Sequence, residues 1–292
     1  MLAPAPMFSS IYLAAEFLLQ AGSTAQKALW LPKLASGEMT ATFAWVEGRG
    51  AMTFDKVRAA VRAGRLTGTK SPVPDGVGAD LAIVAALGEK GLSLYLVDLN
   101  GEGVARAGVN SLDPSKGQAR IEFINVPAEP LGNDGDGAYI ISQVFDRAAV
   151  LLAFEQLGGA DRSLEMARDY ALDRMAFGRP IGSFQAIKHM LANMYVAATL
   201  ARSNCYYGAW ALANGAAELP TAAASARISA TNAFQECARN NIQVHGGMGF
   251  TFEFDCHLFY RRANAQALAL GPLSHWENVL IERLATRLND VA

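Results

Sequence analysis

The sequence predicts an α+β multidomain protein, with an antiparallel β-domain set between a truncated N-terminal helical segment and a C-terminal four-helix bundle. Three observations lead there. Between residues 40 and 126 short alternating apolar runs are parted by Gly, Pro and Asp clusters, the texture of antiparallel strands. From residue 139 to about 287 the apolar spacing is helical throughout. A chain of 292 residues is also too long for one small core.

Taken in order, residues 10–34 read as two helices parted by Gly22-Ser23-Thr24, with Ser23 or Thr24 capping the second. Two helices alone have little to pack against, so residues 1–39 read as the tail end of a larger helical unit or a piece that docks on the rest. The β-domain spans 40–137, with strands expected at 40–46, 56–63, 65–68, 81–86, 93–98 and 120–126 and another at 104–111. Asn133-Asp134-Gly135-Asp136-Gly137 marks its exit loop. The bundle fills 138–292. Its long helices are expected at 139–173, 184–214, 219–246 and 253–270, with a weaker tail after Gly271-Pro272.

Composition narrows the class. A hydrophobic share of 51% beside 18% charged residues points to large buried helical faces, some of them between subunits. A net charge of −2 gives no general attraction to nucleic acid. Cys205, Cys237 and Cys256 have neither ligand nor disulfide spacing, so free thiols in a reducing, cytoplasmic setting are expected. His245 and His257 lack metal-ligand spacing, and no metal is expected. No uninterrupted apolar run reaches the roughly 18 residues of a membrane span, and the N-terminus lacks the basic flank of a signal peptide.

Two stretches stand out. Residues 174–189, RMAFGRPIGSFQAIKH, interrupt a helical run at Gly178-Arg179-Pro180 and leave Arg174, Arg179 and Lys188 near helix ends. Cations and free N–H groups there can hold a phosphate-bearing ligand, and a helix hairpin with a solvated basic rim explains the stretch equally well. Residues 243–253, QVHGGMGFTFE, place three glycines in four positions at a helix end, which admits positive φ and close approach of a ligand. A plain helix cap is the simpler reading of that stretch alone.

Taken together, the two stretches resemble the acyl-CoA dehydrogenase family. The resemblance rests on Arg174, Phe177, Gly178, Pro180, Ile181, Phe184 and Gln185, then on Gln243, Gly246, Gly247, Gly249, Phe250 and Glu253. It implies a flavoprotein that takes a proton from Cα and a hydride from Cβ of an acyl-CoA thioester, using FAD and passing electrons to an electron-transfer flavoprotein or similar acceptor. It also implies that Arg174 neutralises pyrophosphate charge, that Phe177 and Gln185 touch the cofactor, and that Gln243, Gly246 and Gly247 supply the facing half from a partner subunit. Such a protein is a homo-oligomer or a heterotetramer with a related subunit.

The chain departs from that pattern in three places. Leu2-Ala3-Pro4-Ala5-Pro6 resembles the late part of the family's N-terminal helical domain, so most of that domain is expected to be absent here, either because the chain is natively short or because its start has been placed internally. The segment the family places over the flavin ring corresponds to Ser71-Pro72-Val73-Pro74-Asp75-Gly76, which lacks the usual hydroxyl, and its Pro-containing form resembles a subgroup acting on bulky acyl groups. The two positions at which the family carries its catalytic glutamate correspond to Leu270 and Ala148, neither of which accepts a proton. Glu155, two turns beyond Ala148 on the same helix face, lies in the apolar run LLAFEQLGGA and is the remaining candidate base. An ion pair to Arg162 or Arg174 is its structural alternative. Loss of both usual bases also suits a non-catalytic subunit that completes a shared FAD site in a heteromer.

Overall fold

A computed structural model of the chain describes residues 2–48, 50 and 53–291, with side chains as far as 286. Contacts divide it into two compact units, Ala3–Ala148 and Met1–Leu2 with Ala149–Ala292.

The first unit opens with a π-helical run, Met7–Ala15, that continues into α1 (Glu16–Ala21) and is followed by α2 (Thr24–Ser36). Ser23 caps α2 as the sequence indicates: its hydroxyl accepts the Gln26 N–H at 3.2 Å and the Gln26 side chain accepts the Ser23 N–H at 2.9 Å, a reciprocal capping box. Eight strands follow: β1 (Ala41–Ala44), β2 (Ala60–Arg62), β3 (Arg65–Pro74), β4 (Leu81–Leu87), β5 (Leu92–Asp98), β6 (Val104–Val109), β7 (Gln118–Pro127) and β8 (Glu129–Leu131). They form one sheet in the order β6-β7-β3-β2-β4-β5-β8, with β1 beside β4.

The sheet is antiparallel except at β4, which both β1 and β2 join in parallel, at Ala41↔Leu81 and Ala60↔Leu87. The wholly antiparallel expectation needs that correction. The physical reason is the connection from β1 to β4, which contains the β2–β3 hairpin and is long enough to act as the crossover that a parallel pair requires. β4 itself, LAIVAAL, is buried at six consecutive residues, which is why it reads as an unbroken apolar run instead of an alternating one.

The N-terminal helices belong with the strands by contact, although the sequence places a boundary near residue 39. Phe17 and Leu18 are fully buried, the Phe17 and Phe43 rings lie 4.4 Å apart, and Ser10 exchanges hydrogen bonds with the Ala41 backbone at 3.0 Å. This burial gives the short helices the partner they lack on their own.

The second unit is helical. α3 (Gly137–Asp173), which starts within the first unit, is followed by α4 (Gln185–Asn214), α5 (Leu219–His245), α6 (Cys256–Leu268) and α7 (Leu273–Val291). α5 lies centrally and packs on α4, α6 and α7. Its buried alanines, among them Ala222, Ala226, Ala230 and Ala233, allow that close approach. Gly159 on α3 is required: a Cβ there would lie 2.3 Å from the Phe234 ring. The tail expected as weak is a full fifth helix, anchored by Trp276, which is buried and donates its indole N–H to the Leu270 carbonyl at 3.0 Å. Among the described residues one helix, α3, is long and apolar enough to cross a membrane, but 56% of that window is buried in the protein, as in a core helix. All three cysteines are buried, and burial pushes the Cys205 and Cys237 thiols up to about 12 and Cys256 to about 11, so they are poor nucleophiles.

Candidate functional site

The interruption between α3 and α4 is a tight hairpin. Met175–Ala176 pairs antiparallel with Arg179–Pro180, in register Ala176↔Arg179. Its two corner residues are Phe177 (φ 55°) and Gly178 (φ 76°), the two positive φ values a two-residue hairpin of this twist demands. Glycine adopts that conformation freely, whereas for a bulky aromatic it is strained. Phe177 is nonetheless 95% exposed, with its ring edge-on to Phe184 at 6.1 Å. The Arg179 guanidinium lies over the Phe184 ring, 4.1 Å from its centre, a cation–π contact. Main-chain bonds from Arg174 N–H to the Tyr170 carbonyl (2.9 Å) and from Ile181 N–H to the Arg174 carbonyl (2.8 Å) fix the base of the hairpin. Among the described residues no carboxylate lies within ion-pairing distance of Arg174, Arg179 or Lys188, and all three are exposed.

α5 ends at His245 and turns through Gly246, at φ 60° and ψ −135°, into a 3₁₀ turn, Gly246–Phe250. Only glycine adopts those angles without strain. No atom lies within 4 Å of where a Cβ would sit on Gly246 or Gly247, so their backbone faces open space. The two glycines and Arg174 line one cleft of about 440 Å³, walled also by Tyr170, His245 and Met248. The His245 ring stacks on Tyr170 at 4.1 Å and meets Phe254 edge-on at 5.4 Å. Its Nδ1 bonds the Asn241 carbonyl at 2.8 Å, and burial lowers its pKa from the ordinary value.

The resemblance implies that the glycine stretch faces the basic stretch from a partner subunit; within one chain both stretches also line one cleft, where the Tyr170–His245 stack ties the end of α3 to the end of α5. Arg174, Gly246 and Gly247 are brought together. Gln243, exposed on the last turn of α5, Gln185, exposed as the first residue of α4, and Phe177 do not line the cleft. Tyr170 was missed by the sequence reading, although it lies one helical turn before Arg174, and His245, noted there only for its lack of metal-ligand spacing, is also a cleft wall.

Glu155 lies elsewhere in the same unit. Its Oε1 accepts from Gln266 Nε2 at 2.7 Å and from Arg262 Nη1 at 3.2 Å. Its Oε2 is buried without a partner. The ion pair is therefore to α6, not to Arg162 or Arg174: Arg162 pairs with Glu165 on its own helix at 2.9 Å. Beside it, Arg227 is buried, and among the described residues no carboxylate pairs with it. It donates to Gln156 Oε1 (2.6 Å), Thr231 Oγ1 (3.0 Å) and the Ala269 carbonyl (2.6 Å), and also to the Gln266 carbonyl. Desolvation lowers its pKa to about 9. These bonds, with that of Trp276, hold the turn in which Leu270 sits at φ 60°. Leu270 and Ala148 are both buried. Among the described residues no cluster of His, Cys, Asp and Glu is arranged to hold a metal.

An eight-stranded sheet unit and a five-helix unit bearing a cationic, glycine-floored cleft define the class, a sheet-and-bundle chain with a cleft suited to an anionic ligand. Residues 135–288 match the family model for the acyl-CoA dehydrogenase C-terminal domain, and the chain belongs to the acyl-CoA dehydrogenase family. It is 40% identical over 166 residues to acyl-CoA dehydrogenase IpdE2 of Mycobacterium tuberculosis, a match covering 56% of this chain and 46% of that protein. The chain thus spans about half of that relative's length. With an acyl-CoA dehydrogenase of Bacillus subtilis it shares 31% identity over 268 residues, covering 87% of this chain and 70% of the other. The ChsE4-ChsE5 complex of Mycobacterium tuberculosis superposes with a TM-score of 0.86 at 28% identity, covering 97% of this chain and 77% of the matched one. Members of the family are FAD-dependent oxidoreductases acting on CH–CH groups.

Proposed function

We propose that this chain acts in an FAD-dependent acyl-CoA dehydrogenase that forms a Cα=Cβ double bond in an acyl-CoA thioester, with a bulky acyl group. The observation that carries this is the cleft. Among the described residues Arg174 has no carboxylate partner, so its charge is available to an anion, and the open backbone of Gly246 and Gly247 admits a phosphate at close range. Those features fit the pyrophosphate of FAD, and Phe177, Gln185 and Gln243, exposed outside the cleft lining, are assigned as further contacts on the family resemblance alone. FAD, when bound, accepts the hydride from substrate Cβ. The chain's own part is to bind and orient that cofactor and to receive the Cα proton, for which Glu155 Oε2, free while Oε1 is held by Arg262 and Gln266, is the available atom. The acyl-CoA thioester is the substrate partner, an electron-transfer flavoprotein or similar protein is the acceptor, and the assembly is an oligomer in the cytoplasm. The test is the visible spectrum of the purified protein with added FAD. Flavin absorbance that survives gel filtration is expected in the parent and lost in Arg174→Glu, and a parent that retains no flavin overturns the reading.

A second reading, a non-catalytic subunit of a heteromeric dehydrogenase, is favoured by one specific observation. Glu155 is bound to α6 as structural carboxylates are, while the two positions that carry the family's base are the buried Leu270 and Ala148. On this reading the chain completes a shared FAD site for an active partner. Co-expression with a dehydrogenase-like second chain, followed by activity assays on each alone and together, separates the two: activity of this chain alone supports the first reading and rules out the second.

A further inference from the structure

Glu155 and Gln266 are bonded at one pair of atoms and unsatisfied at the other. Gln266 donates its Nε2–H to Glu155 Oε1 at 2.7 Å. Glu155 Oε2 and Gln266 Oε1 are both buried and, among the described residues, without a partner. Each of these two atoms is an acceptor while the carboxyl is ionised, so neither serves the other. Buried acceptors left in this way are rare, and each asks for an explanation. The surroundings hold both side chains in place. Oε1 also accepts from Arg262 at 3.2 Å. The Gln266 main-chain carbonyl accepts from Arg227, which donates at 2.6 Å to Gln156, the residue next to Glu155. α3, α5 and α6 are thereby tied in a closed ring about the pair, and Gln266 is 7% exposed.

We propose that Gln266 is the positioning residue for proton uptake at Glu155: a proton on Oε2 closes a two-bond acid–amide pair, Oε2–H donating to Gln266 Oε1 beside the Nε2–H donation already present. This rests on the reading of Glu155 as acceptor of the Cα proton. In that step the Cα–H bond breaks, its electron pair stays with the substrate to form the Cα=Cβ bond as the Cβ hydride leaves to the flavin, and the proton forms an O–H bond at Oε2. The bonds present select that oxygen. Oε1 carries two donors, and a proton placed there would displace one of them, whereas as a carbonyl oxygen it keeps accepting both. The proton on Oε2 in turn supplies the donor that Gln266 Oε1 lacks. The ionised carboxyl is held by Arg262 and the Gln266 amide N–H, and the protonated one gains a bond to the same amide. Both states are held with no side chain moving, the preorganisation that general-base chemistry uses.

Infrared difference spectroscopy of the purified full chain during acid titration in heavy water tests the pair with no substrate present. The expected parent signal is a protonated-carboxyl band that is lost in Glu155→Gln. Its O–D stretch should lie at lower wavenumber in the parent than in Gln266→Met, because only the parent offers that bond the amide oxygen. Equal O–D positions in the two proteins overturn the proposal, as do acid-induced carboxyl bands that all persist in Glu155→Gln. Gln266→Glu keeps the side-chain size, so it is the safer variant for folding and supplies a second check. Two carboxyls in such contact do not both ionise. A protonated-carboxyl band is therefore expected in Gln266→Glu at neutral pH and not in the parent, and its absence overturns the pairing. Neither arm depends on turnover. If Glu155→Gln leaves substrate bleaching of the flavin unchanged, the base reading fails while these spectra stand, so the two failures are distinguishable.

Discussion

Two arginines of the helical unit carry the same charge in opposite situations. Arg174 is exposed, has no carboxylate partner among the described residues and stands beside open glycine backbone. Arg227 is buried, and its two terminal nitrogens donate to two side chains and two carbonyls while its Nε is left without a partner. A cation that serves the fold is consumed by it, since any group left unpaired inside costs about 1–3 kcal/mol. One that serves a ligand must be left spare, and only solvent keeps it affordable. Charge alone therefore says little about role, and partner count says much. Glu155 falls between the two, with one oxygen saturated and the other bare, which is why it admits two readings.

Replacement of both arginines breaks or sharpens that contrast. Arg227→Met should cost about 2–4 kcal/mol of stability, because four acceptors lose their donor in a buried site. It should be read as a lower urea midpoint at constant slope. Arg174→Ala should leave the midpoint within about 0.5 kcal/mol yet weaken FAD binding roughly 10- to 100-fold, the value of a charge-assisted hydrogen bond, measured by flavin fluorescence titration. Equal stability losses in the two variants would remove the distinction.

Glu155→Gln comes next in size. It keeps the shape while taking the charge from Arg262, which is 2% exposed at its side chain, and a loss of about 1–3 kcal/mol is expected. Its effect on substrate bleaching of the flavin decides between the readings. Abolished bleaching with FAD still bound assigns Glu155 Oε2 as proton acceptor, and unchanged bleaching makes it a structural carboxylate.

What the sequence made legible follows the same division between local and distant causes. The Ser23 cap and the spans of α3, α4 and α5 were readable to within about two residues, because capping and 3.6-residue periodicity are written locally. β3 was expected to stop at Gly68 and runs to Pro74. Its extension, Lys-Ser-Pro-Val-Pro, reads as a loop until Lys70 is seen buried against Glu47 at 2.5 Å, a pairing made by a residue 23 positions away. α7 was undervalued because Ile281 and Leu284 face outward, which blurs its apolar period, and only Trp276 pins it. At the site, the residue types of Arg174, Gly246 and Gly247 were legible, but their meeting on one cleft depends on the Tyr170–His245 stack, which no spacing announces.

A smaller effect tests the hairpin. Phe177 holds φ 55° without burying its ring, so the strain is not offset by packing in this chain. Phe177→Gly should raise stability by about 1 kcal/mol, seen as a higher unfolding midpoint, while weakening FAD retention if the ring is a cofactor contact. A fall in stability would show that the exposed ring contributes to the fold.

The smallest expected effect is in pH. Burial lowers the His245 pKa below its ordinary 6.5, and His275 shifts the same way from the same principal cause. The unfolded chain therefore binds protons more readily than the folded one near and below that value. Stability from this source is fully present above about pH 6.5 and is lost as pH falls through the folded-state value. The stack on Tyr170 gives the loss a place, since a charged imidazole loosens the contact that joins α3 to α5 and with it the cleft. A phosphate held in the cleft stabilises that added charge, so FAD should flatten the slope between pH 7.5 and 5.5, and His245→Phe, which keeps a stacking ring but cannot be protonated, should flatten it without FAD. Urea midpoints measured across that range in the parent, the FAD complex and the variant check both statements. A variant slope as steep as the parent's would move the pH sensitivity away from the cleft.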